Sequence, residues 1–258
     1  MESQLHAVGV DLAWGDGPPS GLAHFVGTSG VDGLSWRLSE SASLVSVDAI
    51  AAWIGSRVPL HATAWVAVDA PLLARNPAGT QREADKQLAR DFRPFRVGAL
   101  PVDERMAVRG VALREKLAES GFDFAVPVEG TVTARGVFET YPTAATLGLF
   151  ELQRPLPYKR GGTALRRDGL RSLQMRLALL DDAALRIADS NAWRTLLRAD
   201  PAGLQGARLK DLEDRLDATL AALVAALAFS APMRLATYGT IEDGFITVPH
   251  PPASAAPA

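Results

Sequence analysis

Residues 6–15, HAVGVDLAWG, and residues 62–72, ATAWVAVDAPL, follow one plan. Each is a run of small and branched apolar residues that stops on an aspartate, Asp11 in the first and Asp69 in the second. Short apolar runs bounded by glycine and proline read as buried strands. Side chains alternate along a strand, so Asp11 shares a face with Gly9, and Asp69 with Ala67. Gly9 keeps that face of the first strand narrow, leaving room for a helix to approach. An aspartate at a strand end is either a turn or cap acid or a group placed for chemistry. In open α/β sheets, ligands bind beyond the carboxyl ends of the strands.

Working outward, GLAHFVGT (21–28) and GLSWRLS (33–39) read as two further strands, close enough to form a meander with 7–11. AIAAWIGSR (49–57) spaces its apolar residues for a short helix, and Pro71 stops the strand that follows. A strand, a crossover helix and a strand predict a mixed or parallel sheet covered by helices. Helices are expected at 80–92 and 103–121, with FRPFRVGALP as loop between them. Residues 132–142 hold a strand ending at Glu139, and Pro142 opens a helix at its first position. Residues 161–182 turn into a helix, 207–229 form the last long one, and GTIEDGFITVP (239–249) gives a turn and a short strand. No repeat or long linker divides the chain, so one domain is expected over 1–250, with 251–258 a disordered tail.

The 258 residues carry 27 basic and 29 acidic side chains, a formal net charge of −2. That balance does not advertise a polyanion or an anionic membrane as partner. No cysteine is present, which excludes disulfides, thiolate metal sites and cysteine nucleophiles. The N-terminus lacks the pattern of a signal peptide, and LAALVAALAFSAPM is too short for a membrane span. A soluble, cytoplasmic protein is the expectation.

Three acids end predicted strands, namely Asp11, Asp69 and Glu139. In the last helix Leu212, Leu216, Leu220, Leu223 and Leu227 make one apolar stripe. Asp217 projects about 100° from Leu216 and is expected to face inward, with Asp214 one turn behind it and nearer solvent. An inward charge must be paired or metal-bound. The four histidines, at 6, 24, 61 and 250, have no zinc-like spacing. An oxygen-only set suits Mg²⁺ or Mn²⁺, and clustered carboxylates repel unless a cation joins them. One or two such ions held by Asp11, Asp69, Glu139 and Asp217 could hydrolyse a phosphodiester.

Cations for a phosphate-bearing substrate are available in KRGGTALRRDGLR (159–171), with Arg166 and Arg167, and in RDFRPFR (90–96). Phe92 and Phe95 offer stacking surfaces in the second run, unless they belong to the core. The net charge favours a short, structured or modified nucleotide substrate over long duplex.

The series GVDLAWG, AVDAPL, the R-x-x-D of QREADKQL (Arg82 and Asp85), ETYPTA, the YK pair at 158–159 and EDRLDATLAAL resembles the DUF429 family. Its members are predicted ribonuclease H-like nucleases, and the match in order and spacing runs from residue 8 to GFITVP. The resemblance implies a three-layer fold with a central five-stranded mixed sheet, its first three strands an antiparallel meander, and helices on both faces. It assigns catalytic or metal-holding roles to Asp11, Asp69, Glu139 and Asp217, with Asp214 as companion. Arg82 and Lys159 are then phosphate clamps or internal ion-pair partners, and Asp85 and Tyr141 are supporting residues. Two other readings share such a core: a sugar-kinase- or ATPase-like phosphotransferase, and a non-catalytic binding or scaffold module.

Overall fold

The structure, a computed structural model, describes residues 4–31, 33–127 and 134–253. The chain opens with β1 (Leu5–Asp11), β2 (Ser20–Gly30) and β3 (Gly33–Leu44), an antiparallel meander. Helix α1 (Val47–Arg57) crosses to β4 (Thr63–Asp69), which lies parallel to β1. Then follow α2 (Glu83–Phe92), α3 (Val108–Glu119), β5 (Asp123–Phe124), β6 (Arg135–Glu139) and α4 (Pro142–Phe150). The remainder is α5 (Thr163–Ala178), β7 (Arg186–Ala188), α6 (Asn191–Arg198), α7 (Gly206–Ser230), β8 (Leu235–Thr240) and β9 (Gly244–Pro249). One mixed sheet runs in the order β7-β3-β2-β1-β4-β6-β9-β8, with β5 paired to β6.

The described residues thus form a nine-stranded sheet where five strands were expected. The additional strands have physical reasons to escape a pattern search. β5 and β7 span two and three residues, too few to display a period of two. β8, LATYGT, is an edge strand that mixes polar and apolar residues on both faces. Helix α6 forms because Ser190 caps it, its hydroxyl accepting from the Trp193 amide at 3.0 Å. The expected helix at 103–121 starts only at Val108, because the Asp103 carboxylate holds a turn by accepting from the Gly79 and Arg105 amides. Pro142 does open α4. Residues 251–253 carry no regular structure, and 254–258, the rest of the expected tail, lie outside the described residues.

Strand parity sorts the core. Val8, Val10, Val66, Val68 and Val137 pack with Ile50, Trp53 and Ile54 of α1 and with Leu113 and Leu117 of α3. Residues of the opposite parity, Ala7, Ala67 and Phe138 among them, pack with the leucines of α7, α5 and α6. All five stripe leucines of α7 are buried. The helix lies directly on the meander, because Gly9 and Gly21 present bare backbone: a β-carbon on Gly9 would fall into the Ala218 carbonyl oxygen, and one on Gly21 into that of Asp214. Phe92 and Phe95 belong to a third cluster, with Tyr238 and Val248, so they are core residues and no stacking surface.

Gly9→Ala should therefore destabilise the fold by at least about 3 kcal/mol in urea unfolding, since backbone has to move. Gly17→Ala, with no neighbour within 4 Å, should stay within about 0.5 kcal/mol of the parent.

Candidate functional site

β1 and β4 run in register, with Asp11 directly opposite Asp69. Parity turns both carboxylates to the α7 face. There the glycine contacts set α7 so close that Asp217, fully buried, meets them beyond the strand ends. Its two oxygens have separate partners: the Tyr158 hydroxyl donates to Oδ1 at 2.7 Å, and Lys159 Nζ lies 2.9 Å from Oδ2. Lys159 also stands 3.7 Å from Asp69 Oδ2.

The charges around this centre are unequally matched. Lys210, three and four residues before Glu213 and Asp214, pairs with both, and Arg166 donates to Glu213 at 2.8 Å. Asp214 is buried, not turned toward solvent as expected, because α7 rests on Gly21 of β2 at this residue, and Lys210 pairs with its carboxylate. Asp69 and Asp217 contact one ammonium, that of Lys159, while Asp11 feels Lys159 and Lys210 without an ion-pair contact to either. With all three ionised, two negative charges stand uncompensated.

The titration behaviour follows from this crowding. Burial, then the Asp217 and Asp69 charges, push Asp11 well above the usual carboxylate range. Burial raises Asp69 to about 6, against the pull of Lys159. Asp217 is likewise raised by burial, with Lys159 and Tyr158 opposing. Burial works against the charge on Lys159, but Asp217, Tyr158, Asp69 and Asp11 outweigh it and hold the ammonium protonated.

Glu139 does not join this group. It pairs in register with Val68, so its side chain leaves the sheet on the face opposite Asp11 and Asp69. There it meets Arg82, whose Nη1 and Nη2 donate to the two carboxylate oxygens at 2.8 and 2.7 Å. Arg82 also donates to Asp85, at 3.1 Å from Nε and 2.8 Å from Nη2, and to the Leu73 carbonyl at 2.9 Å. All five guanidinium donors are engaged, which leaves none for a phosphate. Burial pushes Glu139 up to about 7 against the attraction of Arg82. Of the two roles open to Arg82 from sequence, the structure displays the internal ion pair.

The other expected cations are similarly occupied. Arg166 serves Glu213, and Arg167 donates to the Leu204 carbonyl at 2.6 Å. The Tyr141 hydroxyl donates to the Gly98 carbonyl at 3.3 Å. Among the described residues no three His, Asp or Glu side chains converge closely enough to hold an ion as they stand. Lys159 occupies the space between Asp69 and Asp217, and Glu139 is committed to Arg82.

Two adjacent cavities reach Asp69, and one of them reaches Glu139 as well. A small inner one of about 80 Å³ contains Arg82, Glu139 and Thr140 in its wall. An outer one of about 430 Å³ reaches Arg96, Lys159 and Arg160. They share Trp14, Asp69, Leu100 and Tyr141. Sequence reasoning did not single out the buried hydroxyl of Tyr158, the Lys210 pairing or Thr140. The i,i+3 and i,i+4 spacing of Lys210 with Glu213 and Asp214 was the one readable signal.

Arg82→Leu should cost about 3–5 kcal/mol in urea unfolding, because Glu139 and Asp85 keep buried charges without a partner. Asp69 has the opposite character. Its folded pKa of about 6 lies above the unfolded value near 4, so the folded chain binds the proton more tightly. That contribution stabilises fully below about pH 4 and is lost as pH rises through 6. Asp69→Asn should accordingly raise the urea midpoint at pH 8, and the gain should vanish on titration below pH 4.

A family model described as "Protein of unknown function (DUF429)" matches residues 27–232. That stretch holds Asp69, Arg82, Glu139, Lys159 and Asp217, and leaves Asp11 before it and β8 and β9 after it. None of the curated proteins or solved structures compared matches the chain. Four-fifths of the sequence lies within one family model, and the chain belongs to the DUF429 family.

Proposed function

We propose that the chain is a divalent-metal-dependent phosphodiesterase, a nuclease of ribonuclease H-like design. The observation that carries this reading is the crowding of Asp11 with Asp69 and Asp217, of which the last two contact a single ammonium. Two uncompensated charges amount to the charge of one Mg²⁺ or Mn²⁺, and hard carboxylate oxygens are the ligands these ions take. The element order supports the design: a meander, a crossover helix and a parallel fourth strand, with helices packed on both faces.

In this reading Asp11 and Asp69, opposite each other at the strand ends, would hold the ion. Mg²⁺ is commonly held through only one or two carboxylates, which fits the absence of a closed cage. The bound ion would supply an activated water and charge stabilisation at the phosphorus. Asp217, fixed by Tyr158, orients Lys159 toward the cleft. The Lys159 ammonium faces a phosphoryl oxygen as a point charge. Hydrolysis adds water across one P–O bond, leaving a phosphomonoester and a hydroxyl. Glu139 and Arg82 brace the floor and touch no reacting atom.

Two measurements test this. Mn²⁺ titration followed by electron paramagnetic resonance should show binding at micromolar to millimolar ion that Asp11→Asn abolishes. Lys159→Gln, which removes the competing ammonium, should tighten it. Hydrolysis of a short labelled single strand should require the same ion, and Tyr158→Phe should slow it about 10- to 100-fold. Absence of Mn²⁺ binding at millimolar concentration refutes the metal chemistry, and ATP-dependent phosphorylation without strand cleavage replaces it with a phosphotransferase.

A further inference from the structure

The geometry points to a ligand for the outer cavity: we propose that it binds one nucleotide unit, with the phosphate toward Arg96 and Arg160 and the base against Trp14 and Tyr141. This deepens the nuclease reading and rests on it for the reacting end of the cleft.

Three observations converge on the cavity, and one more lies in the adjoining inner cavity. The first is the state of its cations. Around the cleft, Arg166, Arg171 and Lys210 are spent in ion pairs and Arg167 on a carbonyl. Arg96 and Arg160 line the cavity, are exposed, and have no side-chain partner among the described residues. Arg96 is held there by a left-handed backbone, φ 61°, closing the turn Arg93–Phe95. A non-glycine residue in that conformation is the kind of local strain that collects at binding sites.

The second observation is the start of α4. Tyr141 precedes it without a side-chain cap, Pro142 has no N–H to give, and Thr143 of the first turn lines the cavity. Uncapped amides at a helix start favour an anion. The third is Thr140, only 2% exposed, with a hydroxyl that has no partner and a place in the wall of the inner cavity. A buried hydroxyl without a partner is costly unless a ligand or water completes it.

The fourth observation is aromatic. Trp14 is 59% exposed in the turn after β1, yet it belongs to both cavity walls. Its indole faces a planar ligand where the core offers it no cover. A cavity of about 430 Å³ accepts a single unit of a strand. A duplex needs a row of free cations along its phosphates, and the cavity wall offers two without a protein partner, Arg96 and Arg160.

The test is isothermal titration of the full chain in EDTA, which removes metal chemistry from the readout. Adenosine and uridine 5′-monophosphates should bind at submillimolar concentration, and ribose 5-phosphate and adenosine each about tenfold more weakly. Trp14→Ala should erase the preference for nucleotide over ribose 5-phosphate, and Arg96→Ala with Arg160→Ala should weaken every phosphate ligand about tenfold. All three side chains are exposed, so the variants should keep the parent's circular dichroism and urea midpoint. A 5′-phosphorylated trinucleotide binding more tightly than the mononucleotide identifies a strand end as the source, and equal binding identifies free nucleotide. Ribose 5-phosphate binding as well as the nucleotides, no effect of Trp14→Ala, or a duplex binding as tightly as the single strand overturns the proposal. Nucleotide binding in EDTA without any Mn²⁺-dependent cleavage leaves this site standing and removes the nuclease reading. Metal-dependent cleavage of a simple aryl phosphodiester with no nucleotide binding does the reverse.

Discussion

The close approach of α7 to the meander is the constraint on which the site depends. Gly9 and Gly21 remove the side chains that would otherwise hold a helix at ordinary packing distance from a sheet. Asp217 is carried toward Asp11 and Asp69 by that contact, and without it the three carboxylates would be separated by a layer of core. Apolar packing of α7 from Leu220 to Leu227 holds the helix in place against the repulsion it creates. The electrostatic conflict is local and the hydrophobic support is spread along several turns, so the second can sustain the first.

Two polar systems meet at the carboxyl end of the sheet, and they are opposite in kind. On one face three acids crowd together with an ammonium in contact with two of them, and their proton affinities rise. On the other, one guanidinium serves two acids and a carbonyl with every donor used. The first system lacks a positive charge and answers to solution cations and pH. The second is complete in itself. Strand parity decides which acid belongs to which, for Asp69 and Glu139 leave neighbouring strands on opposite faces.

Much of this was legible in the residues. The plan shared by AVGVD and WVAVD gave the parallel pair and its two acids, and helical geometry turned Asp217 inward. The meaning of Gly9 was legible too, as a gap for a helix. By its place at a strand end Glu139 looks equivalent to Asp69, and only the register reveals the difference of face. Asp214 reads as solvent-facing on a helical wheel, which does not show that α7 rests on Gly21 of β2 at that residue. The edge strands β7 and β8 stayed hidden because so few residues, half-buried, carry no period. Phe92 and Phe95 could not be told from a stacking pair until their partners in the third cluster were known.

The saturated Arg82 fork has a mechanical side. It ties the end of β6, the start of α2 and the segment at Leu72 and Leu73 into one knot, with the Leu72 amide donating to Glu139 at 3.2 Å as a further strand. Loosening any one of these pieces breaks several charge-assisted hydrogen bonds together, in a place where water cannot replace them. That wall of the cleft behaves as an anvil. Whatever yields when a molecule enters or leaves belongs to the opposite rim, where Trp14, Arg96 and Arg160 stand at the surface with few ties to the rest of the chain.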